Sequence, residues 1–206
     1  MDVERYLETL VPERPAKLAA MEERARAIRF PIIGPAAGHL CYLLARLCGA
    51  RRIFEMGSGF GYSTAWFARA VKENGGGAVF HVVWDAKLSH EAQGHLQALG
   101  FDEVVQYTVG EAVDVLRRTD GPFDLIFNDI DKEGYPASLP VITEKLRPGG
   151  VLITDNMLWR GRIFDESDRS AGTEGVREFT RRIVSDSRWI SSVVPLRDGL
   201  LIAIRR

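Results

Sequence analysis

Short apolar runs alternate with longer helix-like segments along most of this chain of 206 residues. The predicted strands are 52–56, 78–84, 103–108, 123–128 and 151–154, followed by 190–195 and 200–204. The predicted helices are 3–28 (interrupted by two prolines), 36–48, 62–72, 89–99, 111–118, 135–145 and 172–185. Strands that alternate with helices predict an α/β fold with a doubly wound, mostly parallel sheet. Asp198-Gly199 between the last two runs predicts an antiparallel hairpin, which makes the sheet seven-stranded.

This length fits a single domain, residues 1–206, with a helical N-terminal extension over about 1–35. The patterns of two segments predict burial. The continuously apolar run Ala78 to Trp84 predicts a strand covered on both faces. In the segment 36–48 four leucines share one face and predict a core helix. They are Leu40, Leu43, Leu44 and Leu47.

The first strand runs into a turn with glycines at alternate positions, and Tyr62 and Ser63 then begin the next helix. The glycines are Gly57, Gly59 and Gly61. Helix N–H groups and the helix dipole can meet a negative group at such a turn. The spacing is not G-x-G-x-x-G, and Glu55 at the end of the strand would repel a phosphate but suit an amine. The turn favours a nucleoside ligand that carries an amino acid, and the alternative is a tight turn that binds nothing.

Polar residues follow each of the other predicted parallel strands, where such sheets bind ligands. They are Asp85, Glu111, Asp129, Asp131, Lys132, Asp155 and Asn156. Asp129, Asp155 and Asn156 offer oxygen ligands for Mg²⁺ or Ca²⁺, and the lack of His or Cys argues against zinc. The alternatives are helix caps and turn formers. Lys132 is either a general base or a solvated surface charge.

Composition limits the partners of the chain. The formal net charge is −1, which gives no support for attraction to nucleic acid or to a membrane surface through bulk charge. No apolar run approaches the roughly 20 residues of a membrane span, and the N-terminus lacks the layout of a signal peptide. Cys41 and Cys48 lie on one helix face, too far apart for a disulfide, and predict buried reduced thiols. These features favour a cytoplasmic protein.

Five motifs in order are much more specific. They are Glu55-Met-Gly-Ser-Gly-Phe-Gly-Tyr-Ser63, Phe127-Asn-Asp-Ile-Asp-Lys-Glu-Gly-Tyr135, Leu146-Arg-Pro-Gly-Gly150, Asp155-Asn-Met-Leu-Trp-Arg-Gly161 and Asp198-Gly-Leu-Leu201. Together they resemble the cation-dependent O-methyltransferases, which include the catechol and caffeoyl-CoA O-methyltransferases and small bacterial relatives. The resemblance covers nearly the whole chain. It implies a class I, Rossmann-like methyltransferase fold.

The resemblance also implies S-adenosylmethionine as methyl donor and Mg²⁺ or another divalent cation such as Ca²⁺ or Mn²⁺. Glu55, Gly57 and Ser63 would hold the methionine part of the donor, and Glu111 would lie near its adenine. The other implied donor contacts are Gly59, Gly61, Tyr62, Asp85 and Asp129. The implied metal ligands are Asp129, Asp155 and Asn156, the implied general base is Lys132, and Trp159 and Arg160 would border the acceptor.

One position departs from the family's pattern. Val83 stands where the family usually has an acidic residue that binds the ribose hydroxyls, and Asp85 is kept two positions later. The loss of a buried bidentate acceptor would cost on the order of 2–4 kcal/mol of donor affinity. Three explanations follow: Asp85 substitutes, the donor binds weakly, or the site has been repurposed.

The motifs predict an enzyme that methylates a hydroxyl of a catechol-like or other vicinal diol with help from a divalent metal. The alternatives are a non-catalytic or repurposed protein with this fold, for which Val83 is the support, and methylation of a hydroxylated nucleoside in RNA. Nucleic acid is disfavoured by the lack of a basic patch. A homodimer through the N-terminal helices or the terminal hairpin is the family-level expectation. The polar segment 164–172 is either a solvated loop or a flap over the substrate.

Overall fold

The computed structural model describes residues 3–206; residues 1–2, the first of the predicted extension, lie outside the described part. The strands are β1 (Arg52–Met56), β2 (Ala78–Val83), β3 (Val105–Val109), β4 (Phe123–Asn128), β5 (Leu146–Thr154), β6 (Trp189–Val194) and β7 (Leu200–Arg205). The helices are α1 (Val3–Thr9), α2 (Ala16–Ile28), α3 (Gly34–Leu47), α4 (Tyr62–Glu73), α5 (Ala86–Ala98), α6 (Ala112–Arg118), α7 (Tyr135–Lys145) and α8 (Ala171–Ser185). Short 3₁₀ turns cover Asp102–Val104, Lys132–Gly134 and Trp159–Phe164.

The seven strands form one sheet in the order β3-β2-β1-β4-β5-β7-β6. β1 pairs in parallel with both β2 and β4, whereas β7 runs antiparallel to β5 and to β6. The predicted fold class, a doubly wound sheet with an antiparallel C-terminal hairpin, is therefore confirmed. The strand order reverses between β1 and β4, and in such sheets a crevice for ligands opens at this point.

The core has two layers because successive side chains of a strand point to opposite faces of the sheet. On β4, Phe127 packs into the layer that contains α2 to α5, and Ile126 packs into the layer that contains α6 to α8. Trp66 and Phe67 of α4 are both buried in the first layer. Helices thus cover both faces of the sheet, and the ends of the strands remain available for a ligand site.

Helix α3 bears out only part of the predicted leucine face: Leu40 and Leu44 pack, partly buried, against the core, whereas the other two leucines do not. Its buried residues are small: Pro35, Ala37, Gly38, Cys41 and Ala45. A Cβ on Gly38 would lie 2.3 Å from Nε1 of Trp66, so the indole of α4 packs directly against the α3 backbone. Leu47 is 83% exposed and Leu43 is also exposed, because the close approach of two helices requires small residues rather than leucines.

Element ends also differ from the prediction. Helix α5 begins three residues early because Asp85 accepts hydrogen bonds from the amides of Lys87 and Leu88. Strand β5 begins at Leu146, five residues before its predicted start at residue 151, and pairs with Phe123 across an irregularity in the register. Strand β2 ends at Val83, and Trp84, predicted as part of a buried strand, is 76% exposed. Among the helices of residues 3–206, none has the length and apolar character needed to cross a bilayer.

Candidate active site

Two adjoining cavities open at the carboxyl ends of the parallel strands. The larger one, about 620 Å³, is bordered by the ends of β1, β4 and β5 and by the turn of the terminal hairpin. The smaller one, about 410 Å³, is bordered by the ends of β2, β3 and β4. The two cavities share wall residues: Phe30, Gly57, Gly59, Asp129, Ile130 and Asp131. A ligand that spans both cavities would pass the glycine turn.

Gly57 holds the ends of β1 and β4 together. Its φ is 87°, and a Cβ at this position would lie 2.4 Å from the carbonyl oxygen of Asp129. The amide of Asp129 donates to the carbonyl of Met56 at 2.9 Å. Only glycine combines the left-handed backbone with this close approach. Gly57 therefore fixes Asp129 in the wall that both cavities share.

Part of the glycine turn is bonded to the neighbouring strand. The amides of Gly57 and Ser58 donate to the carbonyl of Val82 at 3.1 and 3.0 Å. The hydroxyl of Ser58 accepts from the amide of Val82 and donates to the carbonyl of Glu55. The first amides of α4 have no acceptor within their own helix and can therefore bind a negatively charged group. Ser63 at this helix end lines the larger cavity.

Glu55 is fully buried behind the turn. Its Oε2 accepts from the hydroxyl of Thr64 at 2.5 Å, and Nδ1 of His81 lies 3.0 Å from the same hydroxyl. Its Oε1 is buried and has no hydrogen-bond partner among the described residues. Burial raises the pKa of Glu55 to about 7, and neighbouring hydroxyls, including that of Thr64, limit the rise. Oε1 is therefore an unused acceptor directly behind the glycine turn.

Tyr62 links the site to the N-terminal helices. Its ring lines the larger cavity, and its hydroxyl donates to Oε1 of Glu22 on α2 at 2.9 Å. Glu22 also forms an ion pair with Arg14 at 2.7 Å. The loop between α2 and α3 contributes Phe30, Pro31, Ile32 and Ile33 to the wall of the same cavity. The N-terminal extension thus closes one side of the site.

The smaller cavity is mostly apolar. Val82, Val83, Trp84 and Leu88 line one side, and Glu111 lies at the other. The carboxylate of Glu111 caps α6 by accepting from the amides of Val113 and Asp114.

Asp85 stands apart from both cavity walls. Its Oδ1 accepts from the amide of Lys87 at 2.7 Å and from that of Leu88 at 3.3 Å. Its carboxylate is therefore engaged as a helix cap, and the wall at the end of β2 is formed by Val83 and Trp84.

Asp129, Asp155 and Asn156 come together in the larger cavity, at the ends of β4 and β5. Asn156 has a φ of 57°, and this left-handed backbone directs the chain back across the strand end. Burial and the charge of Asp155 raise the pKa of Asp129, and Lys132 offsets part of the rise. Within residues 3–206, no three His, Cys, Asp or Glu side chains form a metal cluster. Two carboxylates and one amide oxygen nevertheless fit a hard divalent cation that keeps sites for other ligands.

Lys132 lies beside this group in the 3₁₀ turn after β4. Its Nζ donates to Oδ1 of Asp129 at 2.8 Å and to the carbonyl of Ile130 at 3.1 Å. The ammonium also lies 5.2 Å from the ring centre of Tyr135 and 5.8 Å from that of Trp159. The side chain is only 10% exposed, so Lys132 is a site residue and not a solvated charge.

Asp198 of the hairpin turn organises the residues after β5. Its carboxylate accepts from Nδ2 of Asn156 at 3.1 Å and from the amide of Arg160 at 2.5 Å. Trp159, Arg160 and Gly161 all have left-handed backbones, and this holds Trp159 and Arg160 at the wall of the larger cavity. Arg197, next to Asp198, donates to Oδ2 of Asp155 at 3.0 Å.

The segment after Trp159 is pinned by one arginine of α8. Arg177 donates to the carbonyls of Ile163 at 3.1 Å, Asp168 at 2.8 Å and Asp165 at 2.5 Å. The sequence predicted this segment, 164–172, as either a solvated loop or a flap over the substrate. In the structure, these hydrogen bonds attach it to α8. Gly175 of α8 lies against the turn of Lys132, where a Cβ would be 2.2 Å from the lysine carbonyl oxygen.

The structure brings together most of the predicted site residues. Those in the wall of the larger cavity are Gly57, Gly59, Tyr62, Ser63, Asp129, Lys132, Asp155, Asn156, Trp159 and Arg160. Glu111 lines the smaller cavity, whereas Glu55, Gly61 and Asp85 line neither. Sequence reasoning missed Phe30, Trp84 and Arg197. Two of them could have been found: Trp84 follows β2 directly, and Arg197 directly precedes the motif that begins at Asp198.

This architecture defines a class of protein. A seven-stranded sheet of this order, with a glycine turn after β1 and carboxylates at the ends of β4 and β5, is the methyltransferase-type α/β fold that the motifs implied. Solved structures share it over nearly the whole chain. The O-methyltransferase from Bacillus cereus, solved in complex with SAH, is 27% identical with a TM-score of 0.90, and the match covers 99% of this chain and 97% of that one. TomG from Streptomyces achromogenes, an O-methyltransferase solved with SAM, is 29% identical with a TM-score of 0.88 over 98% and 95% of the two chains.

The family follows from sequence comparison. The O-methyltransferase family model matches residues 16–206. A catechol O-methyltransferase from Niastella koreensis is 32% identical over 213 residues, which cover 98% of this chain and 96% of that protein. The chain therefore belongs to the O-methyltransferase family, and the prediction of an S-adenosylmethionine-dependent O-methyltransferase is confirmed.

Proposed function

We propose that this protein transfers a methyl group from S-adenosylmethionine to one hydroxyl of a small catechol-like or other vicinal diol, assisted by a divalent metal. The observation that carries this proposal is the position of Lys132 beside Asp129, Asp155 and Asn156. All four lie in the wall of the larger cavity, which adjoins the smaller one at Gly57. An acceptor in the larger cavity can thus meet a donor that extends into the smaller one.

We place the methionine part of the donor at the glycine turn. The unpartnered Oε1 of Glu55 would accept from its ammonium, and Ser63 with the first amides of α4 would meet its carboxylate. The adenosine part would extend into the smaller cavity, between Glu111 and the wall that contains Trp84. Gly57, Gly59 and Gly61 allow the close approach of the chain at this turn, and Asp129 borders both cavities.

Asp129, Asp155 and Asn156 would hold the divalent cation, with Mg²⁺ as the leading candidate and Mn²⁺ or Ca²⁺ as alternatives. A cation at this point supplies positive charge that favours ionisation of two adjacent hydroxyls and fixes their orientation. Asp198 supports this arrangement because it holds Nδ2 of Asn156, which leaves the amide oxygen as the ligand. The amide of Asn156 likewise donates to Oδ1 of Asp155 at 2.7 Å.

Lys132 would act as the general base. In its neutral form Nζ takes the proton of the acceptor hydroxyl, and the oxygen then attacks the methyl carbon of the donor. The carbon–sulfur bond breaks and its electron pair stays on sulfur, so the sulfonium charge disappears. A largely buried site favours this step because the transition state carries less separated charge than the reactants. Trp159 and Arg160 would border the acceptor.

The acceptor class can be tested with matched pairs of phenols. The purified protein would be mixed with donor carrying a deuterated methyl group, Mg²⁺ and either a catechol or the corresponding phenol with one hydroxyl. Mass spectrometry should show one labelled methyl on the catechol and little on the phenol, and a chelator should remove the product. Equal methylation of both, or no effect of the chelator, would contradict a metal-assisted reaction on a diol.

A second candidate is a repurposed protein with weak donor binding. The observation in its favour is the cap formed by Asp85, because the cavity wall at the end of β2 then offers Val83 and Trp84 in place of a carboxylate. Substantial donor affinity would exclude this candidate.

We further propose a cytoplasmic homodimer. Cys41 and Cys48 are free, with Cys41 buried and Cys48 half-buried, as expected in a reducing compartment. Val3, Tyr6 and Leu10 of the N-terminal segment are exposed, and so are Ile190 and Ile204 of the terminal hairpin. These apolar surfaces support a dimer through either region. Light scattering of the purified protein would test it, and a monomer across the working concentration range would contradict it.

A further inference from the structure

Arg197 lies in the turn between β6 and β7 and extends into the larger cavity. Its φ is 53°, a left-handed backbone that a residue with a side chain seldom adopts. Its Nη1 donates to Oδ2 of Asp155 at 3.0 Å, and the arginine side chain is 22% exposed while that of Asp155 is 2% exposed. The positive charge of Arg197 is thus paired directly with Asp155, one of the candidate metal ligands.

Both carboxylate oxygens of Asp155 accept hydrogen bonds. Oδ1 accepts from the amide of Asn156 at 2.7 Å, and Oδ2 accepts from Arg197. A divalent cation bound to Oδ2 at the usual distance would lie within about 5.5 Å of Nη1 of Arg197. Two positive charges this close repel each other, and the guanidinium and the cation also compete for the same lone pairs.

The ion pair is not needed to hold the hairpin turn in place. The amides of Met157 and Leu158 donate to the carbonyls of Gly199 and Asp198 at 3.0 and 2.8 Å. The carboxylate of Asp198 adds bonds to Asn156 and to the amide of Arg160. The turn therefore stays attached to the end of β5 without the guanidinium.

We propose that Arg197 is an internal counter-ion that competes with the divalent metal for Asp155 and so sets the metal affinity of the site. This inference rests on the metal site of the proposed function. When the metal binds, Arg197 withdraws from Asp155 and its charge moves toward the rest of the larger cavity. When the metal leaves, the guanidinium takes over the neutralisation of the buried carboxylate.

Direct titration with Mn²⁺ tests the proposal without an activity assay. Free Mn²⁺ would be followed by electron paramagnetic resonance in metal-free parent, Arg197→Gly, Arg197→Gln and Arg197→Lys. Glycine accepts the left-handed backbone, and glutamine keeps a hydrogen-bond donor without the charge. We expect Arg197→Gly and Arg197→Gln to bind Mn²⁺ roughly tenfold tighter or more, and Arg197→Lys to stay within about threefold of the parent.

Arg29→Gly is the matched control. Arg29 is an exposed arginine with a φ of 55°, at the end of α2, so its replacement makes the same backbone change outside both cavity walls. Its Mn²⁺ affinity should equal that of the parent. Circular dichroism of every variant confirms that the protein titrated is folded.

The possible failures are distinct. If Arg197→Gly and Arg197→Gln bind Mn²⁺ as the parent does or more weakly, while Asp155→Asn abolishes binding, Arg197 is not a competitor and the proposed metal site stands. If folded parent and folded Arg197 variants all fail to bind Mn²⁺, the inference and the metal part of the proposed function are both overturned.

Discussion

The two cavities differ in how their polar groups are used. At the larger one, the carboxylates of Asp129, Asp155 and Asp198 are bonded to Lys132, Arg197 and Asn156, all within the site. At the smaller one, the carboxylate of Glu111 is bonded to the amides of its own helix, and the carboxylate of Asp85 caps α5 outside the cavity wall. The ion pairs between site residues are therefore concentrated at the larger cavity. The surface of the smaller cavity is mostly apolar.

The largest expected effect concerns Lys132, the proposed general base in the larger cavity. Lys132→Ala should lower kcat by roughly 10²–10⁴-fold, because the acceptor proton loses its base. Donor affinity measured by calorimetry should stay unchanged, since Lys132 does not line the smaller cavity. Lys72→Ala, an exposed lysine in the last turn of α4, is the control and should keep parent kinetics. Equal losses in kcat and in donor affinity would mean that Lys132 has a structural role.

The next effect concerns the metal. Asp155→Asn should lower activity by roughly 100-fold or more and remove the response to added Mg²⁺, because one of two anionic ligands is lost. Asp186→Asn, which changes a carboxylate beyond the end of α8, should behave like the parent. Turnover of a catechol by Asp155→Asn at the parent rate, with Mg²⁺ dependence intact, would show that the metal assignment is wrong.

An effect on stability is expected from Glu55, which is buried behind the glycine turn. The pKa of Glu55 is raised from 4.5 to about 7, so the folded protein binds this proton more tightly than the unfolded chain. The free energy of unfolding should therefore fall as the pH rises through this interval, by up to about 3 kcal/mol. In Glu55→Gln this contribution should vanish, and denaturant titrations across the interval would measure the difference.

Glu103→Gln, an exposed position, is the control for the loss of a carboxyl group and should keep the pH dependence of the parent. If the parent and Glu55→Gln lose stability in parallel as the pH rises, Glu55 is already ionised in the folded protein at low pH.

The smallest effect concerns the apolar wall at the end of β2. Val83→Asp should tighten donor binding by roughly 30-fold or more if a ribose acceptor is missing there, because it restores one at the cavity wall. Val109→Asp places the same residue at the exposed end of the neighbouring strand, opposite Val83 in the register, and should not change donor affinity. No tightening in calorimetry of Val83→Asp would mean that the ribose is held by another group.

The sequence predicted the elements whose patterns are local. Strand β4 and helix α7 have the predicted bounds, since an apolar run and a helical repeat each fix their own length. The face of α3 could not be predicted, because it depends on the indole of Trp66 packing against Gly38. Trp84 looked like a strand residue because it is apolar, although the strand ends one residue earlier.

The same distinction holds for the site. Lys132, Asp129, Asp155 and Asn156 were found because they belong to motifs at strand ends, and the sheet brings strand ends together. The use of Asp85 as a cap follows from the start of α5, which periodicity located three residues late. Arg197 was missed because its partner Asp155 lies on another strand, and no sequence pattern links a hairpin arginine to it.

The central claim is that the two adjoining cavities bind one methyl donor even though the wall at β2 carries Val83. Calorimetric titration of the folded protein with S-adenosylmethionine, with and without Mg²⁺, tests this claim most directly. We expect saturable binding of one donor per chain at micromolar affinity, and this binding should be lost when Glu55 and Ser63 are replaced. No heat of binding up to millimolar donor, in protein shown to be folded, would contradict it.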